Sequence, residues 1–297
     1  MTDELTHPRR GFFGTLSRIG LLRLFVMGFI LLTGMGLTMA FHDQYSRHKM
    51  ALPYFPAVDY AGTIAIVLAL VGLYALLVRL FERRWPSEAR PSLGWTGLGV
   101  AIGFGLFCIV YAILAAMGVA HWVGVIGLGG LGPVLLMGVI AGVCEELIFR
   151  GVVFRVLEDS LGTTLAMVLS AALFGLMHAG NHGATTVSTI AIALEAGGML
   201  AAAYAWSRNL WLVFGLHFAW NVTEGGIFGA AVSGGSFHGA LNFPLSPTAP
   251  VMLTGGEFGP EASIVAVVVC TSLAAVFVVL AVRARQWRGL RFKPLLD

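Results

Sequence analysis

Apolar residues in this chain run in long blocks separated by short polar stretches. Eight blocks cover approximately residues 21–41, 61–81, 95–118, 132–157, 161–179, 188–206, 209–231 and 263–283. Each is close to the roughly 20 residues that a helix needs to cross the hydrocarbon core. A backbone in hydrocarbon must satisfy its own hydrogen bonds, and a helix does so within one segment. The pattern therefore predicts an all-α fold, a polytopic membrane bundle of about eight transmembrane helices. No heptad seam and no internal repeat is visible.

Composition agrees. The 297 residues are 58% hydrophobic and 11% charged, with a mean hydropathy of +0.86, whereas soluble domains carry about 25% charged residues. The net charge of +3 gives no nucleic-acid signal, and none is expected as a partner. Of 18 Lys and Arg, sixteen fall at the N-terminus, in the links 2–3, 4–5 and 6–7, and in the tail, counting Arg79, Arg150 and Arg155 with their links. Only Arg47 and Lys49 fall on the other side. The positive-inside rule then predicts an integral, multi-pass protein with both termini in the cytoplasm. The first apolar run is too long for a signal-peptide core and lacks a cleavage site, so it reads as a signal anchor. Cys108, Cys144 and Cys270 lie inside spans without a CxxC pair and read as buried hydrophobes.

Three regions follow. Residues 1–130 hold spans one to three, expected to be structural, with Gly28, Gly34, Gly36, Gly97, Gly99, Gly103 and Gly105 suited to close helix approach. Residues 131–232 hold spans four to seven, the expected functional core, opened by Pro133 where a missing donor does no harm. Residues 233–297 hold an outer loop, 233–262, and span eight. The loop is expected to be ordinary surface, with a lid over the site as the alternative.

Three polar signatures interrupt the core spans: Glu145-Glu146-Leu-Ile-Phe-Arg150, Phe174-Gly-Leu-Met-His178 and His217-Phe-Ala-Trp-Asn221. A charge at a helix centre costs roughly 2.5–3.5 kcal/mol even on lenient scales. Adjacent helix residues point about 100° apart, so Glu145 and Glu146 cannot both face one cavity. Glu146 and Arg150 are four apart and share a face. That spacing predicts a Glu146–Arg150 pair and leaves Glu145 for the site. His178 and Phe174 share a second face, His217 and Asn221 a third. At about 1.5 Å per residue, Glu145 and His178 differ in height by roughly 7–8 Å. Convergence with His217 also requires the helix pair around Asp159 to project into the cytosol.

Taken together, Glu-Glu-x-x-x-Arg, Phe-x-x-x-His and His-x-x-x-Asn resemble the motifs of the CAAX-protease and bacteriocin-processing, or abortive-infection, family of intramembrane proteases. The resemblance covers about residues 130–225, with every motif position present. It implies that Glu145 and His178 activate water, that His217 and Asn221 hold the oxyanion, and that Glu146, Arg150 and Phe174 support them. It implies an endopeptidase acting near a membrane-associated or lipidated segment, with membrane lipid and a peptide or lipidated-protein substrate as partners.

Water attack without a covalent enzyme intermediate is the expected chemistry. Metal-free, glutamate-activated water is the leading expectation. The alternative is a catalytic zinc held by Glu145, His178 and His217, since one carboxylate and two imidazoles suffice with an open position. Glu195 lies mid-span and needs a partner or a wet cavity. Glu224 is a candidate to orient Asn221, and His182 a weaker candidate ligand, whereas His121 and His238 read as loop residues. Two other classes compete: a proton-coupled transporter, which would show inverted repeats, and a non-catalytic immunity or scaffold protein, which would tolerate loss of Glu145.

Overall fold

A computed structural model describes residues 20–46 and 56–290. Eight principal helices follow one another: α1 (Gly20–Ser46), α2 (Pro56–Glu82), α3 (Leu93–Ala116), α4 (131–161), α5 (Thr163–His178), α6 (186–207), α7 (210–227) and α8 (Ile264–Arg283). Among the described residues, α1, α2, α3, α4, α6 and α8 contain spans long and apolar enough to cross a membrane, and α5 is a shorter apolar helix. The fold is all-α. Among the described residues, one two-stranded element pairs β1 (Gly124–Val125) antiparallel with β2 (Leu241–Asn242). Arg9, Arg10, Arg18, Arg47, Lys49, Arg291 and Lys293, which entered the charge count, lie outside the described residues.

Helix boundaries have local chemical causes. Ser92, Asn209 and Ser263 cap α3, α7 and α8 by accepting a backbone N–H with the side chain. Thr185 and Ser188 form a reciprocal capping box at the start of α6. Gly162, at φ +85°, separates α4 from α5. Left-handed Arg208 ends α6.

Four π-helical stretches break the regular winding: Ala141–Glu145, Leu147–Phe154, Ala193–Gly198 and Val222–Ile227. Such stretches are rare and concentrate at functional sites. Here two of them carry Glu145 and Arg150, one carries Glu195, and one follows Asn221 directly.

Close packing of α3 against α7 holds the centre. A Cβ on Gly99 would lie 2.1 Å from the Leu212 carbonyl oxygen, one on Gly103 2.3 Å from that of Leu216, and one on Gly215 2.5 Å from that of Thr96. The expectation of close approach holds for Gly99 and Gly103, and Gly34 meets the Leu70 side chain. It fails for Gly28, Gly36, Gly97 and Gly105, where a Cβ would meet nothing within 4 Å. Those four positions leave small, uncontacted surfaces.

On the molecular surface, Phe25, Phe29, Leu68 and Val276 are well exposed. Apolar exposure of this kind along spanning helices is what lipid contact requires.

Candidate active site

The long rods bring the three signatures to one place. Glu145 is on α4, His178 ends α5, and His217 and Asn221 lie on α7; all four line a single cavity of about 550 Å³. Glu145 Oε2 lies 3.8 Å from His178 Nε2. The height difference read from helix rise is closed by side-chain direction. Each side chain tilts toward its own helix N-terminus, so on antiparallel helices Glu145 and His178 lean toward each other.

Hydrogen bonds assign the nitrogens. The His178 Nδ1–H donates to the Phe174 carbonyl at 2.8 Å, because a carbonyl only accepts. That leaves Nε2 facing the Glu145 carboxylate. Glu145 Oε2 is buried without a hydrogen-bond partner among the described residues. In the neutral ring, Nε2 and Oε2 are both acceptors. A molecule bridging them must donate to each, and a water has the two hydrogens to do so.

Glu146 is fully buried and is not among the residues that line the cavity. Its Oε1 accepts from Arg150 Nη1 at 2.6 Å and from His217 Nδ1 at 2.9 Å. Arg150 Nη2 continues to the carbonyls of Ala196 and Gly197 at 3.0 and 2.9 Å, where the π-helical turn of α6 presents backbone oxygens. Its guanidinium also stands 4.9 Å over the Phe174 ring. One carboxylate and one guanidinium thus tie α4, α5, α6 and α7 together. The His217 bond to Glu146 has no local sequence signal, since the residues are 71 apart. It leaves Nε2 as the ring nitrogen available for a ligand. Among the described residues Asn221 Nδ2 meets only a weak acceptor, Met137 Sδ at 3.8 Å.

Other sequence expectations change here. Glu224 does not orient Asn221; it accepts from Trp220 Nε1 and from the Glu261 backbone N–H, each at 3.2 Å. Glu195 is fully buried with neither oxygen hydrogen-bonded among the described residues. His182 sits exposed at the cavity rim, 3.7 Å from Glu257.

The 233–262 loop is not plain surface, because Ser233, Gly234, Gly235 and Phe237 form part of the cavity wall. Ser233 adopts φ +46° and Gly234 φ +83°. A Cβ on Gly234 would fall 2.1 Å from the His182 carbonyl oxygen, so only glycine fits. Glu261 anchors the turn by accepting from the Ser233 N–H at 2.6 Å and the Ser233 hydroxyl at 2.7 Å. Burial pushes the Glu261 carboxyl above its ordinary range, and the two Ser233 bonds oppose that shift.

Met35, Met39 and His42 of α1 also line the cavity, and His42 Nδ1 lies 3.1 Å from both oxygens of buried Asp59. Sequence reading missed this contribution. Its one trace was a histidine near the end of the first apolar run.

Among the described residues no group of three or more His, Cys, Asp or Glu side chains is placed to hold a metal ion. The Nδ1 atoms of His178 and His217 are committed to Phe174 and to Glu146, which leaves each Nε2 available to a water or to a metal alike.

Residues 127–223 match a family model described as Type II CAAX prenyl endopeptidase Rce1-like. No curated protein and no solved structure matches the chain. The matched segment, about a third of the chain, contains all three signatures, and over those residues the chain is similar to type II CAAX prenyl endopeptidases.

Proposed function

We propose that the protein is an intramembrane endopeptidase in which Glu145 and His178 activate a water. The observation that carries this reading is the 3.8 Å approach of Glu145 Oε2 to His178 Nε2 on a cavity wall. A water donating one hydrogen to each has its lone pairs free to attack a peptide carbonyl. As the carbon–oxygen bond forms, the water proton passes to the Glu145 carboxylate. Asn221 Nδ2 and the His217 Nε2–H stabilise the developing oxyanion. His217 donates there as an imidazolium, its other N–H held by Glu146. Glu145 then delivers the proton to the leaving amine as the carbon–nitrogen bond breaks. No acyl-enzyme forms.

The substrate is a peptide segment held at the membrane by apolar residues or a lipid. Met35, Met39, Met137, Met177 and Phe237 give the cavity apolar and adaptable walls. Purified protein in liposomes is expected to cleave such a peptide. His178→Ala is expected to lower turnover by about 10²–10⁴-fold, the usual range for a lost acid–base group. A tight zinc chelator is expected to leave activity unchanged. Loss of activity under chelation, restored by added metal, would replace glutamate-activated water with a metal mechanism.

A further inference from the structure

We infer that the cleft opens on the non-cytoplasmic face of the membrane and takes its peptide from that side, an inference that rests on the proteolytic reading above for its substrate. The cavity is built from one set of helix ends. Met39 and His42 lie toward the end of α1, Met137 toward the start of α4, Asn221 in the second half of α7, and Asn181 and Ser233 in the connections beyond α5 and α7. All of these belong to the same side of the bundle. The three described connections on that side, 117–130, 179–185 and 228–263, contain no Lys or Arg.

The opposite helix ends carry the arginines, and contacts between helices place them together. Arg155 near the end of α4 binds Glu82 at the end of α2 at 2.6 Å. Arg84 binds Glu88 at 2.7 Å in the link that follows. Arg208, between α6 and α7, binds Glu158 of α4. Arg288, beyond α8, binds Asp159 at 2.6 Å. The positive-inside bias counts Lys and Arg near helix ends irrespective of neighbouring acids. It places the arginine face in the cytoplasm and the mouth of the cleft on the far side. A peptide anchored by apolar residues or a lipid in the outer leaflet is the substrate class this geometry fits, and a cytoplasmic tail is excluded from it.

Two exposed serines mark the faces: Ser236 beside the cleft and Ser87 among the arginines. Ser236→Cys and Ser87→Cys are made separately in full-length protein with Cys108, Cys144 and Cys270 replaced by alanine. Each is treated with a membrane-impermeant maleimide on intact cells. Ser236→Cys is expected to label on intact cells and Ser87→Cys only after permeabilisation. The reverse pattern overturns the inference. In sealed right-side-out vesicles, a lipidated peptide added outside is expected to be cleaved. If it is spared there but cleaved after detergent, the outer-face substrate is wrong. Predicted labelling with no cleavage even in detergent would leave the orientation intact and remove the proteolytic reading with its substrate, so the two failures are distinguishable.

Discussion

Glu146 and Arg150 are the residues whose loss should harm the fold before the chemistry. Both are completely buried and share a 2.6 Å hydrogen bond. Removing one partner of such a pair strands the other charge, at a cost of about 3–5 kcal/mol. Arg150→Met is therefore expected to lower the thermal unfolding temperature in detergent sharply, and to release His217 from its fixed orientation. Asn221 makes the opposite case. Among the described residues its amide nitrogen meets only the Met137 thioether, so Asn221→Ala is expected to leave stability nearly unchanged. Loss of an oxyanion donor typically costs about 10²–10³-fold in kcat, and steady-state kinetics on the liposome peptide would show that loss with KM little altered. Equal unfolding temperatures for the Arg150 and Asn221 variants would contradict this division.

Single helices follow packing rules that sequence reveals only in part. Gly103→Val forces a side chain against the Leu216 carbonyl, while Gly97→Val meets open space. Overpacking costs about 1–3 kcal/mol, so only the first variant should lose unfolding temperature in detergent. The arginine face adds a pH-dependent contribution. Burial pushes the Glu88 carboxyl up, but hydrogen bonds from Arg84 and Tyr74 and the charge of Arg155 bring it down to about 2. A carboxyl lowered on folding stabilises the fold above its ordinary range and loses that contribution as pH falls toward the lowered value. The stability advantage of the parent over Glu88→Gln is expected to shrink as pH drops from about 5 to about 2, measured by unfolding in an acid-stable detergent. Length and hydropathy made most helices legible, and spacing of four made the motif faces legible, because both are local. Which glycines meet a neighbour was not, since that depends on which face another helix covers. The π-helical turns at Glu145 and Glu195 also left no sequence mark.

At the scale of the molecule, four separate rods, α1, α4, α5 and α7, and the connections beyond α5 and α7 make the cavity. The sequence disclosed the rods' polar residues because charges are rare in apolar helices. It did not disclose the Glu146–His217 bond, the α1 wall or the Ser233–Glu261 clasp, since each joins segments distant along the chain or depends on an uncommon backbone turn. The apolar setting of the site makes every polar contact in it stronger, and the account rests on one of them: a water shared by Glu145 and His178. The most direct test is peptide cleavage by Glu145→Gln in liposomes, with unfolding temperature measured in parallel. The account predicts a folded protein of near-parental unfolding temperature whose turnover falls by about 10²–10⁴-fold. Turnover within a few-fold of the parent would show that Glu145 is not the base and would contradict the mechanism.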